Sequence, residues 1–345
     1  IMIGIQFTKH GSSEVLDIST MEKPSLTDDQ VLVEIKAASL NHLDLWLRRG
    51  LPGLSIPLPH IPGSDASGVI TEVGSGVKDW NVGDEVVIQP GTFCGACDQC
   101  QAGREDLCAS YGILGETQSG VQRQFMCLAP ANIGPKPKNL SFVEAAALPL
   151  ASLTAWNMLK NRAQLRSGET LLVLGAGSGV GSMAVQMGRY MGARVIATGG
   201  SEEKQKLAFS LGADEVLNHR QEGFSKQVKV LTNGRGADVV FEHIGASTWA
   251  DSMKSLAVGG RIVTCGATTG VKGEVNLRHL FYKRQTILGS TMGSVSDFYE
   301  CLHLAEQKAL IPVIDQVFSF QNIRGAHDHL EFEHAFGKVV LEGWE

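Results

Sequence analysis

The sequence predicts an α/β protein in two parts, a mostly β domain followed by a doubly wound parallel sheet, and three observations carry that prediction. The chain has 345 residues, enough for two substantial cores. Its 40 glycines are many for that length, and glycine gathers where a chain turns tightly or where backbone approaches a ligand. From Ala145 onward, apolar runs of strand length alternate with amphipathic segments of helix length, the rhythm of parallel strands joined by crossover helices.

Up to about Cys127 the chain reads as short strands punctuated by Gly and Pro, such as VLVEIKAAS from Val31 and DEVVIQPG from Asp84. The strands of the second part are TLLVLG, RVIAT, EVLNH, DVVFEH, RIVTCG and QTILGS, the complement of a doubly wound sheet. After about Gly293 short mixed segments return and end in FGKVVLE, leaving too little chain for an independent domain, so this tail is expected to rejoin the first. The expected boundaries are 1–130 with 293–345 for the first domain and 131–292 for the second.

Composition removes several classes of function. Thirty Lys and Arg against 36 Asp and Glu give a net charge of -6, without the basic excess that nucleic acids require. The uncharged window from Thr170 to Gly188 carries five glycines and divides into a strand and a helix, so no membrane span is expected. The opening IMIGIQFTKHG lacks the features of a secretory signal, and a cytoplasmic location is expected.

Four cysteines, Cys94, Cys97, Cys100 and Cys108, fall within fifteen residues in the run CGACDQCQAGREDLC. Cys-x-x-Cys steps with Gly and Ala between them let a tight loop wrap one tetrahedral ion. Four protein ligands leave Zn²⁺ no open position, so one structural zinc per chain is expected; free or disulfide-bonded thiols are the alternative. Cys127, Cys265 and Cys301 read as core cysteines.

The strand TLLVLG runs into a glycine-rich turn, Gly175, Gly177, Ser178, Gly179, Val180 and Gly181, and then into a helix. Such a turn bends sharply, lets backbone N–H groups reach a pyrophosphate and aims a helix N-terminus at it. The end of the second strand selects the cofactor. An NAD site places Asp or Glu there for the ribose 2′-OH, whereas this chain has Gly199 and Gly200, with Ser201 and Lys204 able to donate to a 2′-phosphate. His219 and Arg220, after the third strand, are further candidates, so NADP(H) is favoured over NAD(H), although Glu202 and Glu203 stand nearby. Lys204 reads equally well as a solvated helix residue.

With the cysteine run, the stretch GSDASGVITEVGSGVKDWNVGDEVV and the glycine turn together, the chain resembles the medium-chain dehydrogenase/reductase superfamily over essentially its whole length. That resemblance implies a GroES-like β domain built from both chain ends, a Rossmann doubly wound parallel sheet, an active site in the cleft between them, and zinc on the four cysteines. It also implies dimers or tetramers. The catalytic zinc of the superfamily's alcohol dehydrogenases sits on Cys, His and Cys with an open fourth position. Here those positions fall at Asn41, at Ser64 within Gly63-Ser64-Asp65, and near Leu150, while the proton-passing hydroxyl falls at Leu43. Asn, Ser and Leu do not make a strong zinc shell.

The same stretch resembles zinc-independent quinone oxidoreductases, which carry Asn-x-x-Asp followed by Arg and Gly, here Asn41, Asp44, Arg49 and Gly50. Asn41 and Thr154 would then lie near the nicotinamide, lined by 266–268 and 289–291 through Gly266, Ala267 and their neighbours. His42, Asp44, Asp65 and His60 are the polar groups expected to border the cleft; His42 is a candidate proton donor or a capping residue, and the two aspartates candidate catalytic groups or buried hydrogen-bonders. A relocated metal on His42, His60 or Asp65 is a further alternative. The resemblance thus implies an NAD(P)H-dependent oxidoreductase acting on a quinone, enone or aldehyde. An alcohol dehydrogenase, or a non-enzymatic NADPH-binding protein, are the alternatives.

Overall fold

The computed structural model describes residues 1–221, 223–332 and 335–344, and these form two compact units. The first comprises Ile1–Leu150, Gly293–Lys308 and Pro312–Glu345; the second comprises Ala151–Met292 and Ala309–Ile311.

The first unit is built on a seven-stranded sheet with the order Ile314–Ser319, Lys338–Glu342, Val31–Ser39, Asp65–Val73, Glu85–Ile88, Ile133–Pro135, and with Phe125–Leu128 also paired to Val31–Ser39. Val31–Ser39 lies centrally because both of its faces are largely apolar, and Val31, Val33, Ile35 and Ala38 enter the main core with Ile70, Val86, Ile88, Val339 and Leu341. The C-terminal strand pairs antiparallel to it, Val340 opposite Ser39.

The break between the units falls at Leu150, not at the expected residue 130. Residues 131–150 stay with the β sheet. The helix Phe142–Ala146 has only five residues, too few to persist alone, and it is fixed by a Ser141–Glu144 capping box. Its Phe142 carbonyl accepts from Ser67 Oγ at 2.6 Å, and Ala146 and Ala147 pack against Ala37 and Val340.

In the helix His42–Arg49, residues Asp44, Leu45, Leu47 and Arg48 turn inward. The buried arginine is therefore Arg48, and the Arg49 that the Asn-x-x-Asp pattern pointed to lies exposed. Arg48 Nη2 donates to Glu331 Oε2 at 2.6 Å, and Nη1 lies 3.0 Å from His327 Nδ1. Guanidinium only donates, so His327 Nδ1 must accept; burial, then the Arg48 charge, push this imidazole down to about 3.

The second unit carries six parallel strands in the order Glu215–Leu217, Arg194–Thr198, Thr170–Val173, Ala237–Glu242, Leu256–Thr264, Thr286–Gly289. Numbered by chain position this is 3-2-1-4-5-6, with the reversal between Thr170–Val173 and Ala237–Glu242. Both central strands are buried throughout, as a sheet covered on two faces requires. Among the described residues no helix is long and apolar enough to cross a membrane.

Candidate functional site

In the second unit, the expected cofactor residues gather where the parallel strands end. The turn after Thr170–Val173 delivers Gly175 and Gly177, and Ser178 caps the helix Gly179–Tyr190 by accepting from Gly181 N at 2.9 Å. Only glycine fits at 181, because a Cβ there would lie 2.2 Å from Gly175 O. The helix thus starts directly on the strand end, with its unpaired amides outward, as a dinucleotide pyrophosphate requires.

The second strand ends at Thr198. Its Oγ1 accepts from Gly175 N at 3.0 Å and lies 2.9 Å from His219 Nδ1, joining the ends of three strands. Burial, then Arg220, push His219 down to about 4, so it is neutral at pH 7 and offers a phosphate no charge. Positive charge comes instead from Lys204 and Arg220. The Lys204 stem runs over Gly177, and a Cβ at Gly200 would lie 2.8 Å from Arg220 Nε. Ser201, expected to donate to a phosphate, caps the helix Glu202–Ser210 through Lys204 N.

Thr154 is buried on the helix Pro149–Trp156, with Oγ1 4.0 Å from Met292 Sδ. Gly266 and Ala267 follow the fifth strand, where Thr264 Oγ1 donates to Gly266 O. Two residues that the sequence did not single out belong to the same end of the sheet. His243 Nε2 donates to Leu174 O at 2.8 Å beneath the glycine turn, and Glu242 accepts from Ile244 N, Gly245 N and Ser252 Oγ. Both sit at the fourth strand's end, a place that topology singles out and composition does not.

In the first unit, Asn41, Asp44 and Asp65 come together with a partner absent from the sequence-based set, Lys338. Asp65 is 0% exposed and Lys338 3%. Lys338 Nζ donates to Asp65 Oδ2 at 3.0 Å and to Asn41 Oδ1 at 2.6 Å, while Asn41 Nδ2 donates to Asp65 Oδ2 at 2.9 Å. Leu150 N donates to Asp65 Oδ1 at 2.8 Å. Asp44 caps its own helix, accepting from Asn41 N and Gly63 N at 2.8 and 2.9 Å. Burial raises Asp44 to about 6, so its contribution to stability is present below the ordinary carboxylate range and is lost as pH rises through about 6. His42 is exposed at the first helical position.

The positions that would carry a catalytic zinc do not fit that ion. Asn41 and the Leu150 amide are both committed to Asp65, and Ser64 Oγ is buried without a hydrogen-bond partner. His60, offered as part of a relocated site, is buried and spends Nε2 on Gly115 O at 2.8 Å. Among the described residues, one group of three or more metal-ligating side chains converges, and it is the four cysteines.

That group fits zinc well. The four ligand atoms lie within 4.8 Å of one another, with Sγ–Sγ distances of 3.6 Å for Cys97–Cys100, 3.6 Å for Cys94–Cys108 and 3.9 Å for Cys94–Cys100. A tetrahedron with Zn–S bonds of ~2.3 Å has edges of about 3.8 Å, whereas a disulfide would bring two sulfurs to about 2 Å. The amides of Ala96 and Cys97 point at Cys94 Sγ and, in that order, pull its thiol down to about 6, favouring the thiolate that a metal needs.

Residues 27–138 match the alcohol dehydrogenase GroES-like domain family, and residues 179–307 match the zinc-binding dehydrogenase family. The chain is 35% identical to a zinc-type alcohol dehydrogenase-like protein of Schizosaccharomyces pombe, covering 92% of each. It is 30% identical to the quinone oxidoreductase of Rattus norvegicus over 99% of this chain and 98% of that one. A crystal structure described as an NAD-dependent alcohol dehydrogenase superposes with a TM-score of 0.96, at 45% identity and 99% coverage of both chains.

Proposed function

Because the chain belongs to the medium-chain dehydrogenase/reductase superfamily and is an NAD(P)-dependent oxidoreductase, we propose that it uses NADPH to reduce a quinone, an enone or another carbonyl without a catalytic zinc. The observation that carries this reading is the Lys338–Asp65–Asn41 network, which takes up the Asn41 side chain at one of the positions a metal shell would need. The bound cofactor supplies the hydride. The protein's task is then to hold an electron-poor acceptor and to offer a donor to the oxygen that gains charge. Asn41 has an amide for that donor role. Asp44 and Asp65 are spent on internal hydrogen bonds, and the proton-returning group in this reading is His42, exposed at the first helical position. The cysteine lobe holds one zinc and takes no part in the step.

The reading is tested by counting metal and assaying after chelation. One zinc per chain is expected, with NADPH-dependent reduction of quinones or enones persisting once chelator has been removed. A second reading, alcohol dehydrogenase, is favoured by the 45% identity to a protein so described. A second zinc on which turnover depends, or alcohol oxidation without any quinone or enone turnover, would establish it instead.

NADP(H) is supported by Lys204 and Arg220 beside a carboxylate-free strand end. Replacing both by Ala is expected to raise KM for NADPH about 30-fold while KM for NADH moves less than about twofold, as loss of charge-assisted phosphate contacts predicts. Equal losses with both cofactors would assign NAD(H). An assembly of two or more copies is supported by the edge strand Thr286–Gly289, which lies at the end of its sheet, and by exposed Leu277, Phe281 and Tyr282 on the helix before it.

A further inference from the structure

Lys338 and Asp65 stand on the two strands that flank Val31–Ser39, and Asn41 lies two residues beyond that strand's end. Ser39 opposes both Asp65 and Val340, and Lys338 lies two residues before Val340, on the same face. Three polar side chains from distant parts of the chain therefore meet at one end of the central strand.

The orientation follows from donor chemistry. Lys338 carries only donors, so the atom 2.6 Å from it is Asn41 Oδ1. Asp65 carries only acceptors in its ionised form, so the atom 2.9 Å from it is Asn41 Nδ2. One Nδ2–H is used on Asp65. The other has no acceptor among the described residues, and Asn41 is only half-buried.

We propose that Lys338 is a positioning residue, which takes up Asn41 Oδ1 and so aims the remaining Nδ2–H of Asn41 at the acceptor's oxygen. This rests on the reductase reading given above. A cation behind Oδ1 polarises the amide and strengthens its N–H as a donor. Without Lys338, Asp65 still takes one Nδ2–H, but nothing holds Oδ1, so the amide plane can swing and the second Nδ2–H loses its aim. The substrate class follows: an acceptor whose reduction places charge on an oxygen, as in quinones, enones and aldehydes.

The test is a cycle of Asn41→Ala, Lys338→Met and the double variant, with kcat read at saturating NADPH and acceptor. Each single change is expected to lower kcat about 100-fold, the usual cost of one oxyanion donor. In the double variant, loss beyond Asn41→Ala should be at most about threefold, because the second change removes nothing further. Losses that multiply, or a Lys338→Met kcat within about threefold of the parent, would overturn the proposal. If Lys338→Met fails to fold, the cycle is run in Lys338→Met/Asp65→Asn, which leaves no unpaired buried charge, with the same two outcomes.

A readout independent of turnover is the Asn41 side-chain amide in ¹⁵N-asparagine-labelled protein, assigned through Asn41→Ala. One slowly and one rapidly exchanging proton are expected, and Lys338→Met, by freeing the amide plane, should speed the slow one. An amide signal unmoved by that change would overturn the proposal by itself. Absence of turnover with every acceptor would overturn the reductase reading instead, and the amide signal still decides the role of Lys338.

Discussion

Changing Cys108 to Ser is expected to cut bound zinc from one per chain to a small fraction, and to speed tryptic cleavage at Arg104 by about 100-fold or more. The reason is what the lobe lacks. Its short helix Asp98–Gln101 and the turn Glu105–Leu107 contain no buried residue, and Cys108 is the one buried side chain between Cys94 and Cys108. No apolar core holds this segment, so a metal on the four sulfurs would supply nearly all of its order. Serine is a harder and weaker ligand, and its substitution leaves three thiolates close enough to repel one another. The remaining sheet has its own core, so the main melting temperature should fall by no more than roughly 5 °C. Limited proteolysis with fragment masses, beside metal analysis, checks both arms. Equal cleavage of parent and variant would mean that the lobe is ordered without zinc.

Changing Asp65 to Ala is expected to destabilise the protein by about 3–5 kcal/mol, read as a lower urea midpoint at pH 7. The loss is large because of what stays behind. Lys338 would remain buried with only Asn41 Oδ1 to accept from it, and the Leu150 amide would lose its acceptor. By contrast, the Lys23–Glu72 pair has side chains 37% and 51% exposed, and its removal should cost no more than about 1 kcal/mol. Adding Lys338→Met to Asp65→Ala should recover much of the stability, since both charges leave together. A cost for Asp65→Ala as small as that of the surface pair would show that the buried pair is not formed in solution.

Much of this was legible in the sequence because it is local. The central strands Thr170–Val173 and Ala237–Glu242 are runs whose apolar character marks burial on both faces, and the glycine turn follows the first of them directly. The metal lobe is legible for the same reason, four ligands within one loop. Lys338 was not legible. It is separated from Asn41 by 297 positions and from Asp65 by 273, and in FGKVVLE it looks like an ordinary charge beside an apolar strand. Arg48 and Arg49 adjoin each other, and only the phase of their helix decides which one is buried. The boundary was expected at 130, where the run of short strands gives out, yet the chain stays with the β sheet to Leu150, where Ala146 and Ala147 are small enough to lie flat beside Ala37 and Val340. Thr198 and His243 acquire meaning only when strand order is known.

The strand Lys338–Glu342 lies between Ile314–Ser319 and Val31–Ser39, inside the first unit's sheet and not at its rim. During synthesis, Val31–Ser39 can pair with Asp65–Val73 early, and its Val31–Glu34 end with Phe125–Leu128 soon after, but its Ala37–Ser39 end must wait for some three hundred further residues to be made. Asp65 is likewise without its lysine for that whole interval. The parallel sheet, by contrast, has all its strands in hand once residue 289 has left the ribosome. The nascent chain therefore completes its parallel sheet first, and the sheet beside Asn41 closes only after Lys338–Glu342 has emerged.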